Sequence, residues 1–419
     1  MRRSIYILFL ASVALLSSCN SNKFAVIERD DFERSDSAFV QYLKSEGVPY
    51  TSNNQITILN GAQVKFDSLF KDIKEAKHHI HLEYFNFRND SLNAILISLL
   101  AEKAAEGVEV RALFDAFGNM SNNRPLKKHH IEEIKAKGIE IVKFDPMSFP
   151  WIDYAFSRDH RKIVVIDGRT AYTGGINVAD YYVDGLEGIG KWRDMHARVT
   201  GESVAELQKI FLAMWNRETG QNIGGAAYFP PINKGTGETD IAVVDRWPGK
   251  NPKQMRRIYA NAINAAKDSI QIVNPYFVPT PIIRKALKRA AKEGVKVEIL
   301  LSEKSDIPLT PEVSHYVGYK LAKAGADVYF YTGGFNHSKI MSIDGKFCTV
   351  GSTNLNSRSL FYDYEDNLFI FDKDATDRLY SLYNADKQES YRLTRKVWKK
   401  RSPWKRFVGW AANILTPFL

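Results

Sequence analysis

One feature constrains this chain above all others: a single motif occurs in it twice. His160-Arg161-Lys162-Ile163-Val164-Val165-Ile166-Asp167 is followed, after six residues, by Gly174-Gly175-Ile176-Asn177. His337-Ser338-Lys339-Ile340-Met341-Ser342-Ile343-Asp344 is followed, again after six, by Gly351-Ser352-Thr353-Asn354. One His-x-Lys at the head of an apolar run is a weak signal. Two, matching in spacing over 18 positions, are copies of one structural unit. Any fold for this chain must build that unit twice and give both copies a common purpose.

The surroundings repeat as well. Glu106-Gly107-Val108 returns 187 residues later as Glu293-Gly294-Val295, and Lys137-Gly138 returns at the same offset as Ala324-Gly325. Ala76-Lys77, ahead of the strand-like run Ile80 to Phe85, is matched by Ala266-Lys267 ahead of Ile270 to Val273. In the first copy, helical patterns over 66–77 and 91–106 alternate with short β-branched runs at 80–85, 108–114 and 139–142. Gly107 and Gly138 stand where a helix must stop and a strand begin. Alternating elements of this kind predict an α/β architecture. We place the halves at 54–218 and 239–390, joined by a Gly-, Pro- and Asn-rich linker over 219–238. A length of 419 residues suits two domains.

The net charge of +10 suggests nucleic acid until its distribution is considered. Two bases, Arg2 and Arg3, sit in residues 1–18 and eight in 391–419, with no acid in either segment. The remaining 48 bases are matched by 48 acids, so the body has no basic field for tracking phosphates along a polymer. Both ends point to a membrane instead. Arg2-Arg3, the apolar run Ile5 to Leu16 and Leu16-Ser17-Ser18-Cys19 resemble a bacterial lipobox signal peptide, since the run is too short to span a bilayer. Cleavage before Cys19 and lipidation of its thiol would make an exported lipoprotein facing the periplasm or cell exterior, with 19–53 as tether and N-terminal segment. At the other end, Trp404, Phe407, Val408, Ala411 and Leu415 recur at helical spacing among the bases. Residues 391–419 therefore predict a membrane-associating amphipathic tail, the alternative being a final helix docked on the domain. Two cysteines in the whole chain make neither a disulfide framework nor a zinc site.

The doubled motif carries the chemistry. Residues two apart in a strand share a face, so His160 projects with Lys162 and His337 with Lys339. Asn177 and Asn354 add amide donors, and Gly175 and Ser352 a slim approach to the same spot. Two imidazoles, two ammoniums and two amides suit a phosphate oxyanion: one His attacks phosphorus while the other protonates the leaving oxygen. The lysines and asparagines do work otherwise given to a metal, so no metal and no cofactor are expected. A nucleophilic imidazole needs an acceptor on its far nitrogen, and Asp194 and Glu365 are the candidates downstream of the motifs. Asp167 and Asp344, each before a Gly, also suit a turn. His78, His79 and His81 lack carboxylate partners at ligand spacing and are expected to be structural.

These motifs resemble the phospholipase D superfamily, and within it the bacterial cardiolipin synthases. The resemblance extends through Leu59-Asn60-Gly61, Trp192-Arg193-Asp194, Pro275-Tyr276-Phe277-Val278-Pro279 and Asn354 to Ser359, and covers about residue 54 to the C-terminus. It implies two pseudo-symmetric domains, a duplicated α-β-α sandwich sharing one active site. It implies transfer of a phosphatidyl group from one phosphatidylglycerol to another through a phosphohistidine, releasing glycerol. The family's catalytic residues carry over to His160, Lys162, Asp167, His337, Lys339 and Asp344, with His160 favoured as nucleophile. A phospholipase D hydrolase, or another phosphodiesterase or nuclease with the same chemistry, is the alternative, the neutral body arguing against a nuclease, and a catalytically dead lipid-binding module would be expected to lose a His or Lys that is here retained. The chain departs from the pattern at Asn356, where many relatives have Asp, and at Asp363-Tyr364-Glu365, where Asn-Phe-Glu is usual.

Overall fold

The structure, a computed structural model, describes residues 34–145 and 157–414. Cys19 and the segment around it lie outside the described residues, as do 415–419. The first half contributes strands β1 (Tyr50–Asn60), β2 (His79–Tyr84), β3 (Glu109–Asp115), β4 (Glu140–Phe144), β5 (Lys162–Ile166), β6 (Thr170–Gly174), β7 (Lys191–Arg193) and β8 (Met195–Gly201). The second contributes β9 (Thr239–Arg246), β10 (Ser269–Val273), β11 (Lys296–Ser302), β12 (Asp327–Tyr331), β13 (Gly334–Asn336), β14 (Ile340–Ile343), β15 (Phe347–Gly351), β16 (Glu365–Phe371) and β17 (Ser390–Arg392).

Fifteen of these strands form one sheet. From its centre the order is β1-β8-β6-β5-β2-β3-β4 in one direction and β9-β16-β15-β14-β10-β11-β12-β17 in the other. Position for position the two lists are the same unit, with β17 added at one edge. β1 and β9 join them antiparallel, pairing Tyr50 with Ala242 and Asn54 with Thr239. Asn54 is fully buried there and its amide donates to the Thr239 carbonyl at 3.1 Å. The glycines that close the helices before β3 and β11 do so in the left-handed region, Gly107 at φ +92° and Gly294 at φ +89°. A residue with a Cβ is strained at either turn, which is why the punctuation was visible in the sequence.

Helices cover both faces. Ala62–Glu75, Ser91–Ala105 and Lys128–Ala136 bury Phe66, Leu100 and Ile131 against the first half. Ser203–Thr219 and Lys373–Gln388 lie on the other face, where Ile163 and Val165 share one core with Ile241, Leu368 and Tyr383. The α-β-α sandwich is thus duplicated, and the halves share a core as well as a sheet. The linker is fastened to the first half by Tyr228, whose ring packs 5.0 Å from that of His79 and whose hydroxyl donates to Glu109 at 2.6 Å.

Within 19–53, read as tether and N-terminal segment, the part beyond the tether forms a helix, Asp36–Ser45, capped by the Ser35 hydroxyl. Its Phe39 is wholly buried in the second half, with its ring 5.1 Å from Phe347 and 5.6 Å from Phe369. A helix this short is marginal alone, and it is held here by tertiary burial of Phe39 and Leu43. The tail also starts later than residue 391. β17 extends the sheet through Tyr391 and Arg392, and Trp398 stacks on Tyr319 at 4.5 Å. Beyond it, the helix Pro403–Ile414 lies across Thr310–Ala322 so closely that a Cβ on Gly409 would sit 2.4 Å from the Glu312 carbonyl oxygen. One face of that helix is docked, and the other leaves Trp404, Phe407, Trp410 and Ile414 exposed. Docking and an exposed aromatic stripe therefore coexist. No helix among the described residues is long and apolar enough to cross a membrane.

Candidate active site

Each motif histidine is delivered by a short parallel pairing that crosses between the halves. β13 runs beside β7, pairing Phe335 with Trp192 and Asn336 with Arg193. The next residue, His337, donates its N–H to the Arg193 carbonyl at 2.6 Å. On the opposite side Asp159 bridges Tyr364 in parallel, and the His160 N–H donates to the Tyr364 carbonyl at 3.0 Å. Both histidines thus precede β5 and β14, with Lys162 opening the first and Lys339 just ahead of the second, and each lies alongside a carboxylate belonging to the other half.

The carboxylates are the two anticipated from the sequence, and their pairing is crossed. His337 Nδ1 lies 2.6 Å from Asp194 Oδ2, and His160 Nδ1 lies 3.1 and 3.2 Å from the two oxygens of Glu365. With the Nδ1 hydrogen on the carboxylate, Nε2 of each ring is the free position. Lys339 Nζ is 2.9 Å from the same His337 nitrogen, but two donors cannot share a hydrogen bond, so the lysine donates to the His337 carbonyl instead. Lys162 donates likewise to the His160 carbonyl. Each ammonium is thereby fixed beside its own histidine.

Burial dominates the electrostatics. It holds both imidazoles well below their ordinary pKa, with the neighbouring lysine adding to the effect in each case. It lowers Lys162 to about 8 and Lys339 to about 7, against the pull of Glu365 on the first and Asp194 on the second. It raises Asp194 and Glu365 to about 7 against Lys339 and Lys162 respectively. Burial thus favours the neutral form of all six groups, and in the lysines and carboxylates a neighbour of opposite charge works against it. Two Nε2 atoms turned away from the carboxylates and two lysines in one site can bind a phosphodiester, attack its phosphorus and, where one ring carries a second proton, protonate what leaves.

The remaining predicted residues divide. Ser352 donates its hydroxyl to Glu365, so it positions the carboxylate rather than a phosphate. Gly175, its counterpart, is a matter of space: a Cβ there would fall 2.3 and 2.5 Å from the Asp194 oxygens. Both serve the orienting carboxylates. Asn177 is tied between the Asn86 N–H and the Tyr182 hydroxyl, to which it donates at 2.8 Å, and so builds the wall. Asn354 is buried, and its Oδ1 has no hydrogen-bond partner among the described residues. Among the described residues no group of His, Cys, Asp and Glu is placed to hold a metal ion.

Asp167 and Asp344 are displaced from the chemistry. β5 runs from Lys162 to Ile166, and Asp167 follows at its far end, about 16 Å along the strand. There it accepts from the N–H groups of Lys77, His78 and His79 at 2.7–3.0 Å. Asp344 does the same for Lys267, Asp268 and Ser269 at 2.7–2.8 Å. Both adopt a left-handed φ of +54°, which Asp tolerates through just such local bonding. They fasten the start of β2 and β10 to the motif strand, and the catalytic assignment implied by resemblance is corrected to a structural one.

What the sequence did not disclose is the wall. Trp192, Phe335, Tyr276 and Tyr182 place their rings 5.4, 5.5, 5.7 and 5.9 Å from that of His337. Among the described residues His160 has one such neighbour, Phe85, at 5.1 Å, and its side chain is 12% exposed against 5% for His337. The fragments Trp192-Arg193-Asp194 and Pro275-Tyr276-Phe277 flagged the neighbourhood without a role for the rings. We expect Asp167→Ala or Asp344→Ala to leave three N–H groups unpaired and lower folding stability by about 1–3 kcal/mol. The urea midpoint should fall while kcat of the enzyme that remains folded is kept. A loss of kcat at undiminished stability would return these aspartates to the chemistry.

Comparison with known proteins agrees with this geometry. The family described as "Cardiolipin synthase, PLD-like domain" matches residues 69–215 and 259–387, one segment in each half. The chain is 34% identical over 400 residues to a cardiolipin synthase of Oceanobacillus iheyensis, covering 95% of this chain and 82% of that one. It is 33% identical over 414 residues to a cardiolipin synthase of Listeria monocytogenes, covering 96% and 85%. Among solved structures, phosphatidylserine synthase of Haemophilus influenzae shares the fold with a TM-score of 0.67 at 13% identity, covering 91% of this chain and 99% of that one. With both halves matched and nearly the whole chain aligned, this protein belongs to the cardiolipin synthase family of phospholipase D-like proteins.

Proposed function

We propose that the protein is a phosphatidyltransferase that condenses two phosphatidylglycerols into cardiolipin and glycerol. Nε2 of one histidine attacks the phosphorus of the first lipid, forming a P–N bond. The P–O bond to the glycerol headgroup breaks, and the other histidine gives that oxygen a proton. A hydroxyl of the second lipid then attacks the phosphohistidine and returns a proton to the second histidine, and the P–N bond breaks. Lys162, Lys339 and the Asn354 amide carry the charge gathering on phosphorus. His160, the more accessible ring, suits the nucleophile. The crossed pairing of His160 with Glu365 and His337 with Asp194 is the observation that carries this reading, because it prepares two equivalent Nε2 atoms for two opposite proton tasks.

The setting is a membrane surface. The Cys19 lipobox would anchor an exported lipoprotein, and the exposed Trp404, Phe407 and Trp410, flanked by Lys405 and Arg406, suit the interface of an anionic leaflet. The helix that carries the stripe, Pro403–Ile414, packs on the helix Thr310–Ala322.

Phosphatidylglycerol vesicles incubated with the purified protein should yield cardiolipin and glycerol in equal amounts. Phosphatidic acid in place of cardiolipin would convert the reading to hydrolysis. His160→Ala and His337→Ala should each lower kcat by about a thousandfold or more. Denaturant-quenched wild-type enzyme should carry phosphohistidine, and label confined to His337 would reverse the two roles.

Trp404→Ser, Phe407→Ser and Trp410→Ser combined should slow turnover on anionic vesicles by about tenfold more than turnover on dispersed short-chain phosphatidylglycerol. Equal slowing on both would leave the stripe without a role at the membrane.

The lysines set a pH limit of known sign. Lys339, at about 7, and Lys162, at about 8, lose their protons as pH rises, so kcat/KM should fall on the alkaline side through that window. A bound phosphate stabilises the ammoniums, so the same limb in kcat should lie at higher pH. Coincident limbs would show that these lysines do not hold the substrate.

A further inference from the structure

The proposed reaction joins two phosphodiesters, and the histidine–lysine cage holds only the one that reacts. The acceptor lipid carries a phosphate of its own, at the far end of the three-carbon glycerol that presents the attacking hydroxyl. When that hydroxyl reaches phosphorus, a second anion must rest at the mouth of the cage, a headgroup away. Leaving it without a cationic partner there would oppose the reaction, because the first phosphate is already present.

Most cations around the site are committed elsewhere. Arg158 and Arg161 are fully buried on Asp115 and Asp245. Arg193 is bound to Asp386 and Asn60, and Lys304 donates to the Gly188 carbonyl. Arg88 is buried beneath Tyr181 and stands 3.9 Å from Asp90. Arg358 differs. It lies on the short helix Ser357–Phe361, four residues after Asn354, and its Nε donates to Asp363 Oδ2 at 3.2 Å. Its guanidinium sits over the Phe117 ring at 5.3 Å. Asp363 is itself fixed, buried and accepting from the Arg158 N–H at 3.2 Å. The arginine is thus pinned at Nε and held by a ring, while its side chain remains 36% exposed and its two Nη groups make no hydrogen bond among the described residues. It is near enough to His160 for its charge to disfavour protonation of that ring.

We propose that Arg358 binds the phosphate of the acceptor lipid, and so selects an anionic phospholipid over a neutral alcohol as the second substrate. This rests on the transfer reading above. A guanidinium anchored through Nε offers two Nη donors to two phosphate oxygens, a geometry that lysine cannot reproduce. Asp363 and Phe117 pre-order the fork, which reduces the entropy lost when the acceptor binds. No covalent step is added: Arg358 touches the acceptor and not the reacting phosphorus.

The test is a competition within one reaction. The full chain is given phosphatidylglycerol vesicles and isotope-labelled glycerol, and the phosphohistidine partitions between cardiolipin and labelled phosphatidylglycerol. In Arg358→Gln the ratio of cardiolipin to labelled phosphatidylglycerol should fall by about tenfold or more, the loss of one charge-assisted phosphate contact. Arg358→Lys, which keeps the charge opposite Asp363, should fall in the same direction by a smaller factor. If the glutamine variant does not fold, the lysine variant decides alone. An unchanged ratio, with both products slowed equally, would overturn the proposal and make Arg358 only a partner for Asp363. A wild-type enzyme that forms neither product would refute the transfer reading and this inference with it.

Discussion

The site depends on backbone pairing between the halves at two places. β13 beside β7 brings His337 to Asp194, and the bridge between Asp159 and Tyr364 brings His160 to Glu365. A side-chain hydrogen bond between distant segments holds its length only if the segments are themselves fixed. Here each imidazole is fixed twice, by its own N–H to a carbonyl of the opposite half and by its Nδ1 to a carboxylate of that half. The central β1–β9 pairing and the core shared by Ile163, Ile241 and Leu368 keep those segments in register. What resembles two domains in sequence is one continuous sheet with one site.

That arrangement also explains how so many ionisable groups tolerate burial. His160, Lys162, Asp194, His337, Lys339 and Glu365 are all removed from water, which disfavours the charged form of each. Acids and bases interleave, so the shifts of Lys162, Lys339, Asp194 and Glu365 are each opposed by a neighbour of opposite sign, while the lysines push both imidazoles further toward the neutral form. Ser352 and Gly175 complete this design from equivalent positions by different means, one supplying a donor to Glu365 and the other the space in which Asp194 sits.

Much of this was legible in the sequence because it depends on local chemistry. Gly107 and Gly294 mark helix ends through a backbone angle only glycine adopts easily. The motif pair identified its histidines and lysines, and Asp194 and Glu365 as their acceptors. That the pairing is crossed was not legible, since spacing along a chain does not say which of two symmetric partners lies opposite. Asp167 and Asp344 resemble active residues in pattern, but their work is on N–H groups that only the folded sheet brings near. Helix Asp36–Ser45 was not legible, because its amphipathic face has only two deep anchors, Phe39 and Leu43, in a short polar segment. The two departures from the family pattern also fall into place. Asn356 caps the helix Ser357–Phe361 by accepting from the Ser359 N–H, while Asp363 supplies the carboxylate beside Arg358.

The crossing has an evolutionary corollary. A chain bearing one copy of the repeat would contain a histidine and a carboxylate that never meet within it, and would have to pair with a second copy of itself to complete either. Such an assembly has an isologous interface in which both sites of contact are identical by symmetry. Fusion into one chain removes that identity. Asp194 can then stay one methylene shorter than Glu365, Gly175 can stand where its twin is Ser352, and Trp192, Phe335, Tyr276 and Tyr182 can enclose His337 alone. A symmetric pair cannot favour one histidine for attack and the other for proton transfer, and a covalently joined pair can.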